Sequence, residues 1–279
     1  MTNPFSSLPF DAAIMQGYVV LMVVLVIGGT IIDMIHKKSA KYFFENSKKQ
    51  EKNARRTVSS GERTSAMISV LLNEVLTSAE FANPQRRLSH LFTMYGFIVF
   101  VVSTAVLIFG YAASADAGIW GTLWHLGAAS LALGGYWFWF FIRVDVSSEG
   151  HKWYQLAKAD LFIVSALMMA TWGLLWSIMG DSFIMLAEGI SLCFAIFILS
   201  STVLFSTVIW SKFAHMFFKP AAAFQKRITK LDGSQENLPD VGEMSDPAIH
   251  ARYPDIPEYM GKNPPNMGLG IKSEPPHHF

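Results

Sequence analysis

The sequence predicts an all-α integral membrane bundle of five transmembrane helices, with the N-terminus outside and the C-terminus in the cytoplasm. Three observations predict it. The 279 residues are 52% hydrophobic and only 15% charged, well below the quarter charged that is usual for a globular domain. Five apolar runs reach the ~20 residues that a helix needs to cross a hydrocarbon core of roughly 30 Å. All 22 Lys and Arg residues fall between Lys37 and Arg87, between Arg143 and Lys158, or between Lys212 and Lys272. If the five runs are threaded through a bilayer, those stretches share one side. Basic residues flanking spanning helices stay cytoplasmic, so the bias sets orientation.

The first run covers about Ala12 to Ile35. The preceding MTNPFSSLPFD has no basic n-region, so this run reads as a retained helix and not a cleaved signal. The second spans about Leu88 to Ala113, with Asn83 as its cap and Pro84 at its first position. The third spans about Ile119 to Ile142 and the fourth about Ala159 to Met179. The fifth starts near Phe183 and runs to Phe218, with a stop at Pro220. Helices are required because no water satisfies backbone amides in lipid. The outer loops are then Ser114–Gly118 and Gly180–Ser182, and the outer charges Asp11, Asp116, Asp181 and Glu188 are all acidic.

Four segments follow from this pattern. Residues 1–35 hold the N-terminus and first span. Residues 36–87 form a basic cytoplasmic loop, and residues 88–230 a four-helix core. Residues 231–279 form a Pro- and Gly-rich tail that reads as extended. Within the loop, Ile68, Leu71, Leu72, Val75 and Ala79 recur at helical spacing. Thr64 to Phe81 is thus expected to be an amphipathic helix lying on the inner surface. Arg86 and Arg87 can snorkel to the headgroups.

Composition excludes several classes of function. The single Cys193 permits no intrachain disulfide and no thiolate cluster for zinc or iron–sulfur. A net charge of +1 gives no ground for nucleic-acid binding. No inverted repeat or paired Gly/Pro break suggests a transporter.

Ionisable residues near membrane depth carry the functional expectation. His90 lies one turn into the second span, and His215 in the last apolar turn of the fifth. Both fall near the inner face, a pairing that suits bis-histidine ligation of a haem b inside a bundle. Gly96 and Thr104, with Ser200, Ser201, Ser206 and Thr207, are expected to leave room for it. The alternative is a pair of interfacial histidines that bind nothing. His125, near the outer end of the third span, reads as a core histidine bonded to a neighbouring helix. Its functional alternative is a hydrogen-bond donor to a quinone, near Trp120, Trp124, Asp181 and Glu188. His36, His151, His250, His277 and His278 read as solvated. Gly135–Phe141 and Trp153–Gln155 read as an aromatic belt, and Arg143 is positioned to pair with Asp145.

RRLSHLFTMYGF (Arg86–Phe97) and KFAHMFFKPAAAFQKR (Lys212–Arg227), on a five-span frame with an outside N-terminus, resemble the gamma subunit of respiratory nitrate reductase. More closely they resemble membrane subunits of sulfur energy metabolism. One is the cytochrome b domain of quinone-interacting membrane-bound oxidoreductase, whose iron–sulfur Cys motifs are missing here. The other, which fits better, is the membrane anchor of dissimilatory adenylylsulfate reductase. The likeness covers about Asn3 to Lys230. It implies a multi-pass protein of the bacterial inner membrane that is a non-catalytic subunit, with a soluble cytoplasmic flavin/iron–sulfur oxidoreductase as partner and quinone as substrate. It also implies that His90 and His215 are the axial ligands of one haem b. Two-haem members carry further histidines about three turns on in the second span and about five turns earlier in the fifth. Phe100 and Phe197 stand there, which implies a single haem and a quinone near the inner end, with Arg87, Lys212 or Trp210 beside it. A haem-free anchor is the alternative implication.

Overall fold

The computed structural model describes residues 2–37, 39–79, 81, 83–145, 151–180, 184–211, 213, 215–234 and 246–254; the side chains of residues 37, 39, 40, 215 and 217 are also outside the description. Among the described residues 75% are helical, and the chain forms two compact units, Met1–Ser39 with Gln85–Phe218 and Ala40–Pro84 with Lys219–Phe279.

The first unit holds α1 (Ala12–Lys37), α4 (Pro84–Gly110), α5 (Ile119–Trp137), α6 (Leu161–Met179) and α7 (Leu192–Ser206). Among the described residues, three helices are long and apolar enough to cross a membrane: Ala12–His36, Pro84–Gly110 and Lys158–Met179. His36 thus belongs to α1 and not to a loop. α5 continues as a π turn, Phe138–Ile142, and a 3-10 turn, Lys158–Asp160, leads into α6.

Close packing of α4 on α5 is set by glycines. A Cβ on Gly96 would lie 2.3 Å from Leu131 N, and one on Gly127 would lie 2.6 Å from Phe100 N. At Gly134 it would meet Ser89 O at 2.6 Å. Small residues that let helix backbones touch are the usual means of packing in apolar surroundings. Hydrogen bonds reinforce this seam, Ser89 Oγ to Gly134 O at 2.8 Å and Ser130 Oγ to Phe92 O at 2.9 Å. Gly96 therefore seats α5 and leaves no room for a cofactor.

The expected fifth helix is corrected. The stretch starts as a short antiparallel hairpin, β1 (Met185–Ala187) and β2 (Ile190–Ser191), turning at Gly189 with φ 68°. Ser191 caps α7 by accepting from Phe194 N. α7 ends at Ser206. Hydroxyls of Ser201, Thr202 and Thr207 donate back to carbonyls three or four residues earlier, a bonding pattern that bends helices. Turns follow, with Trp210 N and Ser211 N both donating to Thr207 O. His215 then opens a separate helix, α8 (His215–Asp232), and Pro220 lies inside that helix instead of ending it.

The N-terminal segment is part of the core. Asn3 caps a 3-10 turn, Pro4–Ser7, and its amide donates to Tyr111 O and Ser114 O. That holds Phe5 at 5% exposure against Trp124, Trp176 and Phe197.

The second unit contains α2 (Ser39–Lys52), α3 (Ser60–Ser69) with its π continuation Val70–Leu76, the later part of α8, and α9 (Pro247–Arg252). The helix expected over Thr64 to Phe81 runs instead from Ser60 to Leu76. A capping box of Ser59 and Glu62 starts it. Three bonds hold the Glu62 carboxyl well below the usual carboxylate range, at about 2: first the Ser59 backbone N–H, then the Arg56 guanidinium and the Ser59 hydroxyl. Val58, Ala66 and Ile228 form the core of this unit, with Phe224 and Leu231 packed on it. Arg227 bonds Glu74 at 3.0 Å and Ser69 at 2.8 Å. Ala40–Pro84, most of the loop 36–87 of the sequence reading, thus folds as one unit with Lys219–Phe279. The tail read as extended contains α9; His277 and His278 lie outside the described residues.

Candidate functional site: an apolar cleft along α1, α4 and α7

In the first unit, α1 packs on α7 and leaves a cleft of about 330 Å³ against α4. Its wall is apolar, with Met22, Val26, Phe97, Val101, Ile108 and Phe205 among the lining side chains. This size is at the lower end of that usual for ligand pockets. The Tyr18 hydroxyl ties the helices together, lying 2.6 Å from Ser201 Oγ and 3.0 Å from Thr202 Oγ1. The tyrosine hydroxyl also reaches Ile198 O at 3.2 Å, the carbonyl that Ser201 and Thr202 share, so α1 and α7 are joined through one hydroxyl network.

One end of the bundle is filled. Phe100 and Phe197, 1% and 4% exposed, stack with Trp124, Trp176, Phe194 and Phe5 at centroid separations of 4.8 to 6.5 Å. Trp124 Nε1 donates to Thr104 Oγ1 at 2.9 Å, so Thr104 is engaged.

At the other end, Phe213 is 3% exposed and packs against Phe97, Phe162 and Phe205. That cluster fixes the turn between α7 and α8. Phe213 and Met216 both line the cleft and bracket His215, whose side chain lies outside the described residues. His90 is exposed. It stands seven residues before Phe97, about two helical turns, on the stripe that continues through Val101, Thr104 and Ile108. The cleft therefore borders the stretch that carries His215, whereas on α4 its lining begins at Phe97, about 10 Å along the helix from His90. His215 is the first residue of a new helix and not part of the last turn of a spanning one.

Arg87 lies in the first turn of α4 and is half-buried. Trp210 is 61% exposed on the turn after α7. Lys212 lies outside the described residues, as do Asp181 and Ser182. His125 is far from this set in role. A carbonyl only accepts, so Nδ1–H donates to Gly121 O at 2.6 Å, and Nε2 accepts from Ser177 Oγ at 2.6 Å. The histidine joins α5 to α6, and both nitrogens are engaged.

Arg143 does not form the expected bond to Asp145. It is 1% exposed and binds Asp160 Oδ2 at 2.6 Å, together with the carbonyls of Lys152 and Gln155. Its guanidinium lies 4.2 Å from the Trp139 ring centroid. The knot fixes the loop between α5 and α6, and the exposed Trp153 and Tyr154 sit on that loop. Sequence reasoning missed the Phe5 plug and the Tyr18 tie. The plug had a signal, because Asn3–Pro4 is a cap followed by a first-turn proline. A buried acid, Asp33 at 3% exposure in α1, was also legible as a lone carboxylate in an apolar run.

Among the described residues no cluster of three or more His, Cys, Asp or Glu side chains is set to hold a metal ion. No protein-family model, no curated protein and no solved structure matches the chain. The described residues are mostly helical, with three helices long and apolar enough to cross a membrane.

Proposed function

We propose that this chain is the multi-pass membrane anchor of a cytoplasmic oxidoreductase and passes electrons between that partner and the quinone pool through one haem b. Five segments cross the bilayer on this reading, with α7 and the turn after it as the short fifth, and the basic stretches lie inside. The partner class is a soluble flavin/iron–sulfur enzyme, with adenylylsulfate reductase the nearest resemblance.

One observation supports it above the others: α4, the helix that carries His90, and the residues on either side of His215 line a single apolar cleft. The donor set fits the group. Two neutral imidazoles are the ligands that a b-type haem needs, and they come from separate helices. A haem so bound supplies a one-electron relay. The chain does the rest. α4 and the start of α8 carry the ligands, Phe213 and its three aromatic neighbours fix the turn before His215, and the apolar wall excludes water. The filled end, with Phe100 and Phe197 in contact, supports one haem instead of two. Arg87, Lys212 and Trp210 are the proposed neighbours of a quinone headgroup. His125 is a weaker candidate, since bonding a quinone would cost it the Ser177 contact.

The wholly apolar wall also suits a haem-free anchor that offers the cleft to quinone directly. A reduced-minus-oxidised spectrum of the purified chain separates the two readings. The first expects b-type absorbance that is lost in His90→Ala. Absorbance that is absent, or unchanged in that variant, rejects the haem.

A further inference from the structure

Among the described residues, the second unit exposes an apolar surface on the side of α3 away from α8. Helix α3 and its π continuation turn one side to α8, where Ala66 is buried and Ser69 and Glu74 bond Arg227. The other side exposes Met67, Ile68, Leu71, Leu72 and Leu76, each between 45% and 52% accessible. A straight α-helix would carry Leu76, nine residues after Met67, to the opposite side. The i→i+5 bonding of Val70–Leu76 puts more residues in each turn and keeps Leu76 with the others. Five exposed aliphatic side chains on one stripe are more than scattered surface apolars.

We infer that this stripe docks on the surface of an anionic bilayer, with α3 and its π turn lying in the headgroup plane. Three observations choose lipid as the occupant. The stripe is purely aliphatic, whereas protein interfaces are anchored by Trp, Tyr and Arg. Charge is complementary, because Arg63 is exposed one turn before Met67, and Lys41, Lys48, Lys49 and Lys52 are exposed on the preceding helix. Basic residues beside an apolar face are the pattern of in-plane helices on anionic lipid. Tethering is short, since the stripe ends at Leu76 and the apolar helix α4 begins at Pro84. Extended chain over that gap reaches roughly 25–30 Å, which keeps the stripe near any bilayer that α4 crosses. The inference rests on the membrane placement of the spans and is independent of haem.

Nitroxide labels on single cysteines in the full chain test it, with Cys193→Ala as background. The chain is reconstituted without partner into nanodiscs of phosphatidylcholine and phosphatidylglycerol. Leu72→Cys is expected to be severalfold more accessible to oxygen than to a water-soluble nickel reagent, relative to Asn73→Cys. Val24→Cys on the exposed side of α1 reports lipid independently. Adding Leu71→Glu, on an exposed site that the unit's core does not need, is expected to abolish the oxygen preference at 72. Replacing the anionic lipid by phosphatidylcholine is expected to weaken it. Equal water access at 72 and 73, with lipid still reported at 24, overturns the inference alone. Water access at 24 as well overturns the membrane reading with it. Burial at 72 that appears only when a soluble partner is added also overturns it, assigning the stripe to that partner.

Discussion

The two ends of the helical bundle are built from similar residues yet packed differently. At one end Phe5, Phe100, Trp124, Trp176, Phe194 and Phe197 fill the space between five structural elements. At the other, Phe97, Phe162, Phe205 and Phe213 form a rim, and the cleft of about 330 Å³ runs beside it. Aromatic content therefore does not mark the site. Phe100 and Phe197 line the same cleft, so what distinguishes the ends is the N-terminal plug packed on the aromatic block at one and the break after α7, where the cleft reaches Phe213 and Met216, at the other.

That contrast predicts opposite responses to changes in volume. Phe197→Ala removes a 4% exposed ring and is expected to cost about 3–5 kcal/mol. Ala105→Phe adds bulk where the cleft has room, and is expected to cost under about 1.5 kcal/mol. Thermal unfolding in one detergent measures both. Equal costs would break the contrast.

The ion pairs sharpen the same lesson about burial. Asp160→Asn strands the buried Arg143 and is expected to cost about 3 kcal/mol, read in the same unfolding assay. Glu74→Gln removes a partner from Arg227, which is 37% exposed, and is expected to cost under about 1 kcal/mol.

The smallest effect is a pH dependence in the second unit. The Glu62 carboxyl is held at about 2 in the folded chain, below its ordinary value. Its contribution is therefore present above that ordinary value and is lost as pH falls toward 2. The protection factor at the first amides of α3, with the intrinsic pH dependence of exchange divided out, is expected to fall over this window in the native chain. In Glu62→Gln the protection factor should not change over the same range.

Much of this architecture was legible in the apolar runs. The starts and ends of α1, α5 and α6 follow them closely, because hydropathy and helix length answer to the same bilayer-scale constraint. The fifth run misled because hydropathy does not report continuity. Ile184–Ser191 is apolar enough for a helix but turns at Gly189, and the hydroxyl-rich Ser200–Thr207 stretch bonds its own backbone. His90 and His215 were legible as suspects through their place beside basic anchors. The cleft was not, since a void depends on how α1 leans on α7, and a single sequence carries no such distance. Gly96 was read as space for a ligand although its lack of a side chain is used by α5. Arg143 was assigned the near carboxylate, Asp145, when the folded loop brings the more distant Asp160 to it.

Haem content per chain tests the central claim most directly, because it asks whether one end of the bundle binds and the other does not. The account predicts one b-type haem per purified chain, retained in Phe100→Leu and lost in both His90→Ala and His215→Ala. A content of zero or of two, or one that survives both histidine substitutions, would contradict it.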